Sequence, residues 1–136
     1  MNNGYVISTD NSKLDVAVIH DFLSNRSYWG KGRTFETVQK TIDNSLCFGA
    51  YDKKDQLAGF ARVVTDLTIF AYLMDVFILE DNRGRGLGKQ LIDHIINYPD
   101  LQGIRFWRLD TNDAHGLYRK YGFKEPAFPG KIMEKR

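Results

Sequence analysis

The segment from Ile69 to Ile96 constrains the fold more than any other. A run rich in β-branched and aromatic residues ends in Asp75-Val76-Phe77-Ile78-Leu79, and a short acidic stretch, Glu80-Asp81-Asn82, follows. The chain then reads Arg83-Gly84-Arg85-Gly86-Leu87-Gly88-Lys89, after which Leu87, Leu91, Ile92, Ile95 and Ile96 fall at helical spacing. A strand therefore passes through a glycine loop into a helix. The start of a helix leaves backbone N–H groups without partners and carries partial positive charge, so glycines there let an anion approach the backbone. Arg83, Arg85 and Lys89 add mobile cations, which suits a pyrophosphate because several charge-assisted bonds form at once.

Two common phosphate motifs do not fit. A P-loop places a glycine five residues before the Gly-Lys pair and Ser or Thr after it, where this chain has Arg83 and Gln90. A dinucleotide fingerprint would complete Gly84-x-Gly86-x-x-Gly at position 89, where Lys89 stands, and would follow an opening strand of a βαβ unit.

The rest of the chain supplies alternating elements. Tyr5-Val6-Ile7 reads as a strand, and Asp10, Asn11 and Ser12 as caps for a helix carrying Leu14, Val18, Ile19 and Phe22. Residues 24–33 break the helical period with glycines and two large aromatics, and Thr34 caps a second helix with Val38 and Ile42 four apart. Leu46 to Tyr51, Leu57 to Val64 and Ile69 to Leu79 read as an antiparallel meander, turning first at residues 52–55. Ile104 to Thr111 reads as a further strand, Ala114 to Tyr121 as a short helix ended by Gly122, and Phe123 onward as edge structure. The expected order is β-α-α-β-β-β-α-β-α-β in one domain spanning 1–136.

Composition narrows the function. The 136 residues are long enough to bury a core without disulfides or metal. Nineteen Lys plus Arg against seventeen Asp plus Glu leave +2, with no concentrated basic stripe, so a nucleic-acid partner is not expected. The single Cys47 forms neither an internal disulfide nor a multi-thiolate site, and His20, His94 and His115 lack metal spacing, so no metal is expected. Met1-Asn2-Asn3-Gly4-Tyr5 does not resemble a secretory leader, and no apolar run is long enough to cross a membrane, which reads as a cytoplasmic protein without a membrane partner.

Arg83-x-x-Gly86-x-Gly88 after this strand resembles the acetyl-CoA signature of the GCN5-related N-acetyltransferases, the GNAT family. Thr111-Asn112-Asp113-Ala114-His115-Gly116-Leu117-Tyr118 and Lys120-Tyr121-Gly122-Phe123 resemble that family's second signature. The resemblance implies an α/β fold of the α+β kind: a mixed, mostly antiparallel sheet, splayed open to hold acetyl-CoA, with helices on both faces. It places the pantetheine arm against the backbone of Val76, Phe77 and Ile78 and wraps the pyrophosphate with Arg83, Gly84, Arg85, Gly86, Leu87, Gly88 and Lys89. It sets Asn112 to hydrogen-bond the cofactor arm.

Acetyl transfer to an amine needs a neutral nucleophile, a stabilised carbonyl oxygen and a proton for the departing thiolate. Backbone N–H groups near Val76 and Phe77 suit the second task. Tyr118 matches the tyrosine of the family's second signature and is the expected proton donor. Asp75, in a strand of apolar residues and Tyr72, needs a purpose or a partner: a base or amine-orienting group, or an ion pair with Arg62 or Arg108. Asp110 is a weaker carboxylate candidate.

Tyr28, Trp29 and Arg33 in the irregular loop, with Tyr72, form the expected acceptor pocket, the aromatics for stacking and Arg33 for an acceptor carboxylate. A small-molecule amine is the expected acceptor, attacked directly without a covalent enzyme intermediate. The alternatives are a protein N-terminus or lysine as acceptor, a non-catalytic CoA-binding sensor, and a plain interaction domain. An exposed edge near the C-terminus would permit a homodimer.

Overall fold

Five strands line up in sequence order, β1 (Val6–Ser8), β2 (Leu46–Tyr51), β3 (Leu57–Thr65), β4 (Phe70–Ile78) and β5 (Phe106–Arg108). The computed structural model describes residues 3–136; Met1 and Asn2, part of the stretch inspected for a leader, lie outside the described residues. Neighbours pair antiparallel except β4 and β5, which run parallel. Parallel neighbours need a crossover, and α3 (Leu87–Ile96) supplies it. The mixed, mostly antiparallel sheet is the expected one.

The turns follow from short side chains. Asp52 Oδ1 accepts from the N–H groups of Lys54 and Gln56, closing the β2–β3 turn where the sequence places it. Asp66 Oδ1 does the same for Thr68, Ile69 and Phe70 at the β3–β4 turn.

Helices cover both faces. α1 (Val16–Arg26) and α2 (Phe35–Asp43) bury Ile19, Phe22, Leu23, Val38 and Ile42 against Cys47, Tyr51, Phe60 and Phe77 of the sheet. On the other face Leu91, Ile92 and Ile95 of α3 pack on Phe48, Ala61, Val63, Ala71 and Leu73, joined by Tyr118 of α4 (His115–Arg119). Thr34 caps α2 as expected, its hydroxyl accepting from Thr37 N–H.

Four expectations are corrected. Asp10 caps only a single 3-10 turn, Asn11–Lys13, and Asp15 is the cap of α1, accepting from Val18 N–H at 3.2 Å. α1 continues to Arg26, into the expected loop, and the buried hydroxyl of Ser27 closes its end by donating to Leu23 C=O at 2.7 Å. The last strand is Phe106–Arg108 rather than 104–111, and no strand follows Phe123 among the described residues. Pro126 and Pro129 lack the N–H donor that an edge strand uses, and the segment forms one turn, Pro129–Lys131.

Gly49 of β2 marks a close approach. A Cβ there would stand 2.6 Å from Tyr51 Oη and 2.9 Å from its Cζ, with Leu14 Cδ2 at 3.0 Å. Tyr51 is buried, so making room means moving its ring within the core. Gly49→Ala is expected to cost about 1–3 kcal/mol, read as a lower urea midpoint with unchanged slope. An unchanged midpoint would show that the ring shifts freely.

Candidate active site

The register between β3 and β4 slips at one point. Phe60 faces Phe77 and Arg62 faces Met74, so Asp75 and Val76 together oppose Ala61. This is a β-bulge, and Asp75 takes the left-handed conformation at φ +53°. Its effect is a switch of faces: Ala71 and Leu73 pack on the α3 side, whereas Phe77 stacks on Phe22 of α1 at 4.1 Å between ring centroids. The strands also part here. β4 pairs with β5 only from Phe70 to Tyr72, so the edge carrying Val76, Phe77 and Ile78 has no strand partner on that side. An open edge offers backbone donors and acceptors to an amide-bearing ligand.

The glycine loop lies at the end of that edge. Gly84 and Gly86 adopt φ of +78° and +77°, and a Cβ at either would meet nothing within 4 Å. Glycine is required there for the backbone turn, and the space beside it is open. Gly86 is the N-cap of α3, which leaves the first N–H groups of that helix, Leu87 to Lys89, without intrahelical partners. Leu87 itself is buried, so only its backbone faces the loop. Arg83, Arg85 and Lys89 are exposed. Arg83 Nε donates to Ile78 C=O at 2.9 Å, tying the loop to the end of β4.

Asp75 is buried in a web of donors. Arg62 Nε reaches its Oδ2 at 2.6 Å, Arg33 Nη1 the same oxygen at 2.8 Å, and Trp29 Nε1 its Oδ1 at 2.8 Å. Burial by itself pushes the carboxyl up, but the bonds and charge of Arg62 and Arg33 outweigh it and hold Asp75 below the ordinary carboxylate value. Such a carboxylate is a weak proton acceptor. It holds the loop between α1 and α2 onto the bulge, because Trp29 and Arg33 both belong to that loop. Of the two expected ion-pair partners, Arg62 is the one present.

Across the splay, Tyr118 is buried on α4, its ring edge-on to Phe123 at 5.9 Å. Burial first, with Tyr28 and Asp113 adding to it, pushes the phenol up to about 12. Tyr28 extends from the loop to accept from the N–H of Asn112 at 3.1 Å, and packs edge-on against Trp29. Tyr72 donates to Asp110 Oδ2 at 2.5 Å. The structure thus brings Tyr28, Trp29, Arg33 and Asp75 together at one end of the opening, with Asn112 bridged to them. Cys47 lies in the core between α2 and the sheet, and burial pushes its thiol up to about 12, so it stays protonated.

Residues 43–125 match the model of the acetyltransferase (GNAT) domain. The chain belongs to the GNAT family. A Xanthomonas campestris pv. campestris protein solved at 1.40 Å and assigned to the same family is 48% identical, with a TM-score of 0.95 over 97% of this chain and 92% of that one. The peptidyl-lysine N-acetyltransferase YjaB of Salmonella typhimurium is 29% identical over 112 residues, covering 82% of this chain and 71% of that protein. A Clostridium acetobutylicum protein solved with acetyl-CoA shares the fold, at a TM-score of 0.71 and 16% identity over 97% of this chain and 94% of that one.

GNAT acetyltransferases use acetyl-CoA as acyl donor, and two features of this chain are compatible with it. The Gly84–Gly86 turn leaves room for phosphate oxygens beside free N–H groups and exposed cations, and the Val76–Ile78 edge is open to an amide. Three contributors, Tyr5, Asn82 and Gln90, escape sequence reasoning. Tyr5 Oη donates to Asn82 Oδ1 at 2.9 Å and accepts from Arg85 at 3.5 Å, while Tyr5 C=O accepts from Gln90, so the amino-terminal strand braces the loop. Arg62, which the sequence offered as a partner for Asp75, sits in an apolar run of β3.

Proposed function

We propose that this acetyltransferase moves the acetyl group of acetyl-CoA to the primary amine of a small molecule by direct attack. The amine nitrogen adds to the thioester carbonyl carbon, the backbone N–H groups near Val76 and Phe77 receive the charge growing on oxygen, and the C–S bond breaks. Tyr118 serves the departing sulfur. With the phenol near 12 and an ordinary thiol near 8.5, full transfer is uphill by roughly 3.5 pKa units, about 5 kcal/mol, so the phenol acts as a hydrogen-bond donor to the developing thiolate. Asp75 orients the acceptor side by fixing Trp29 and Arg33, and water carries away the amine proton. Buried, protonated Cys47 favours direct attack over a covalent intermediate.

The small-molecule reading rests on the loop between α1 and α2, where Tyr28 bonds to Asn112 across the opening and Trp29 to Asp75. A loop fastened at both points encloses a short acceptor better than a peptide chain. The name of the Salmonella relative supports a lysine side chain as the second reading.

Thermal unfolding with and without acetyl-CoA tests the donor. Ligand at 100 times its Kd stabilises by about 2.7 kcal/mol, a rise of several degrees. Absence of a rise at millimolar acetyl-CoA would overturn the proposal. Given a rise, free-thiol release with small amines supports it, release only with a lysine peptide favours the second reading, and binding without release across both identifies a sensor.

A further inference from the structure

The ion cluster at the bulge is unbalanced. Arg62 and Arg33 share one oxygen of a single carboxylate, Asp75, so three groups with side-chain exposures of 8%, 22% and 1% carry one surplus positive charge. A surplus charge this far from water is costly unless an anion joins it.

The place for that anion is next to Arg62. A groove of about 350 Å³ lies between α2 and β3, lined by Arg62, Lys40, Thr37, Asn44, Ser45 and Val64, with no carboxylate among its walls. Arg62 uses Nε on Asp75 and Nη1 on Ser45 Oγ at 3.1 Å, while Nη2 makes no hydrogen bond to a described residue. Nη2 therefore keeps its N–H groups for a carboxylate. Lys40 forms no ion pair among the described residues; the adjacent Asp43 accepts from Gln39 and stays out of the groove. The Thr37 hydroxyl accepts from Thr34, which leaves its own proton to donate.

The groove and the bulge share Arg62, which lines the one and bonds Asp75 in the other. Arg62 faces Met74, beside the bulge, and Val64 faces Tyr72, so both line the sheet face on which the acceptor loop closes.

We propose that the acceptor amine carries a carboxylate at its far end, and that this carboxylate binds Nη2 of Arg62 with Lys40 and Thr37. The inference rests on the amine-acceptor reading above and names its substrate class. An ω-amino acid would lay its carboxylate in the groove and extend its amine toward the bulge.

The test measures binding by calorimetry, with coenzyme A present, for ω-amino acids from glycine to 6-aminohexanoate and for their carboxamides. At the best length the acid is expected to bind about 10- to 100-fold tighter than the amide. Because Arg62 also holds Asp75, the variant is Lys40→Glu, on the exposed face of α2, which should cut that preference about tenfold. Equal affinities, no binding by either series, or a preference that Lys40→Glu leaves intact would each overturn the proposal. Free-thiol release is followed alongside. Acid-selective binding without release would remove the transfer reading and keep the site; equal release from acids and amides would do the reverse.

Discussion

Tyr118→Phe is expected to lower kcat on the order of 10²-fold while acetyl-CoA affinity stays unchanged. The phenol hydroxyl makes no hydrogen bond to a described residue, and the ring is held by Phe123 and the α3-side core, so the substitution removes the hydroxyl and keeps the packing. The thermal midpoint should therefore move little. A proton donor near 12 also stays protonated across the physiological range, so the wild-type rate should show no loss from this group as pH rises toward 9. Full kcat in the variant would remove Tyr118 from the reaction.

Asp75→Ala is expected to produce the largest loss of stability. It leaves the guanidiniums of Arg62 and Arg33 without their carboxylate, and stranding one side of a buried pair costs about 3–5 kcal/mol. For a chain of this length that is a fall of roughly 10–15 °C in Tm. Asp75→Asn separates charge from backbone strain, because asparagine tolerates the left-handed conformation at φ +53°. The Asp75 carboxyl lies lower in the folded chain than in the unfolded one, so its contribution is fully present above about pH 4 and disappears as pH falls through the folded value. The gap between wild type and Asp75→Asn should be wide at pH 7 and close below pH 4. Equal midpoints at pH 7 would show that the two arginines do not depend on the carboxylate.

The legible parts of this protein are those encoded by neighbours in sequence. Residues 83–89 announce an anion seat because glycine spacing and helix periodicity are local properties, and the structure places Gly84 and Gly86 in the left-handed conformation there. The β2–β3 turn and the Thr34 cap were legible for the same reason, since a side chain bonds to backbone a few residues away. The start of α1 was misplaced because Asp10 and Asp15 are both competent caps, and only the second is followed by a face that packs against the sheet.

The site itself depends on contacts across large separations. Trp29 meets Asp75 across 46 residues and Tyr28 meets Asn112 across 84, pairings that no local pattern encodes. The sequence named Asp75 as anomalous and offered Arg62 or Arg108; the bulge decided for Arg62, because the left-handed turn brings the carboxylate to the face that Arg62 and Arg33 occupy. By itself, then, the sequence determined the order of elements as far as α4, the glycine loop and the family, all carried by short-range spacing. The tertiary structure alone decided where β4 leaves β5, which partners hold Asp75 and how Arg62 comes to face a groove, because each depends on a strand register fixed by packing on both faces of the sheet.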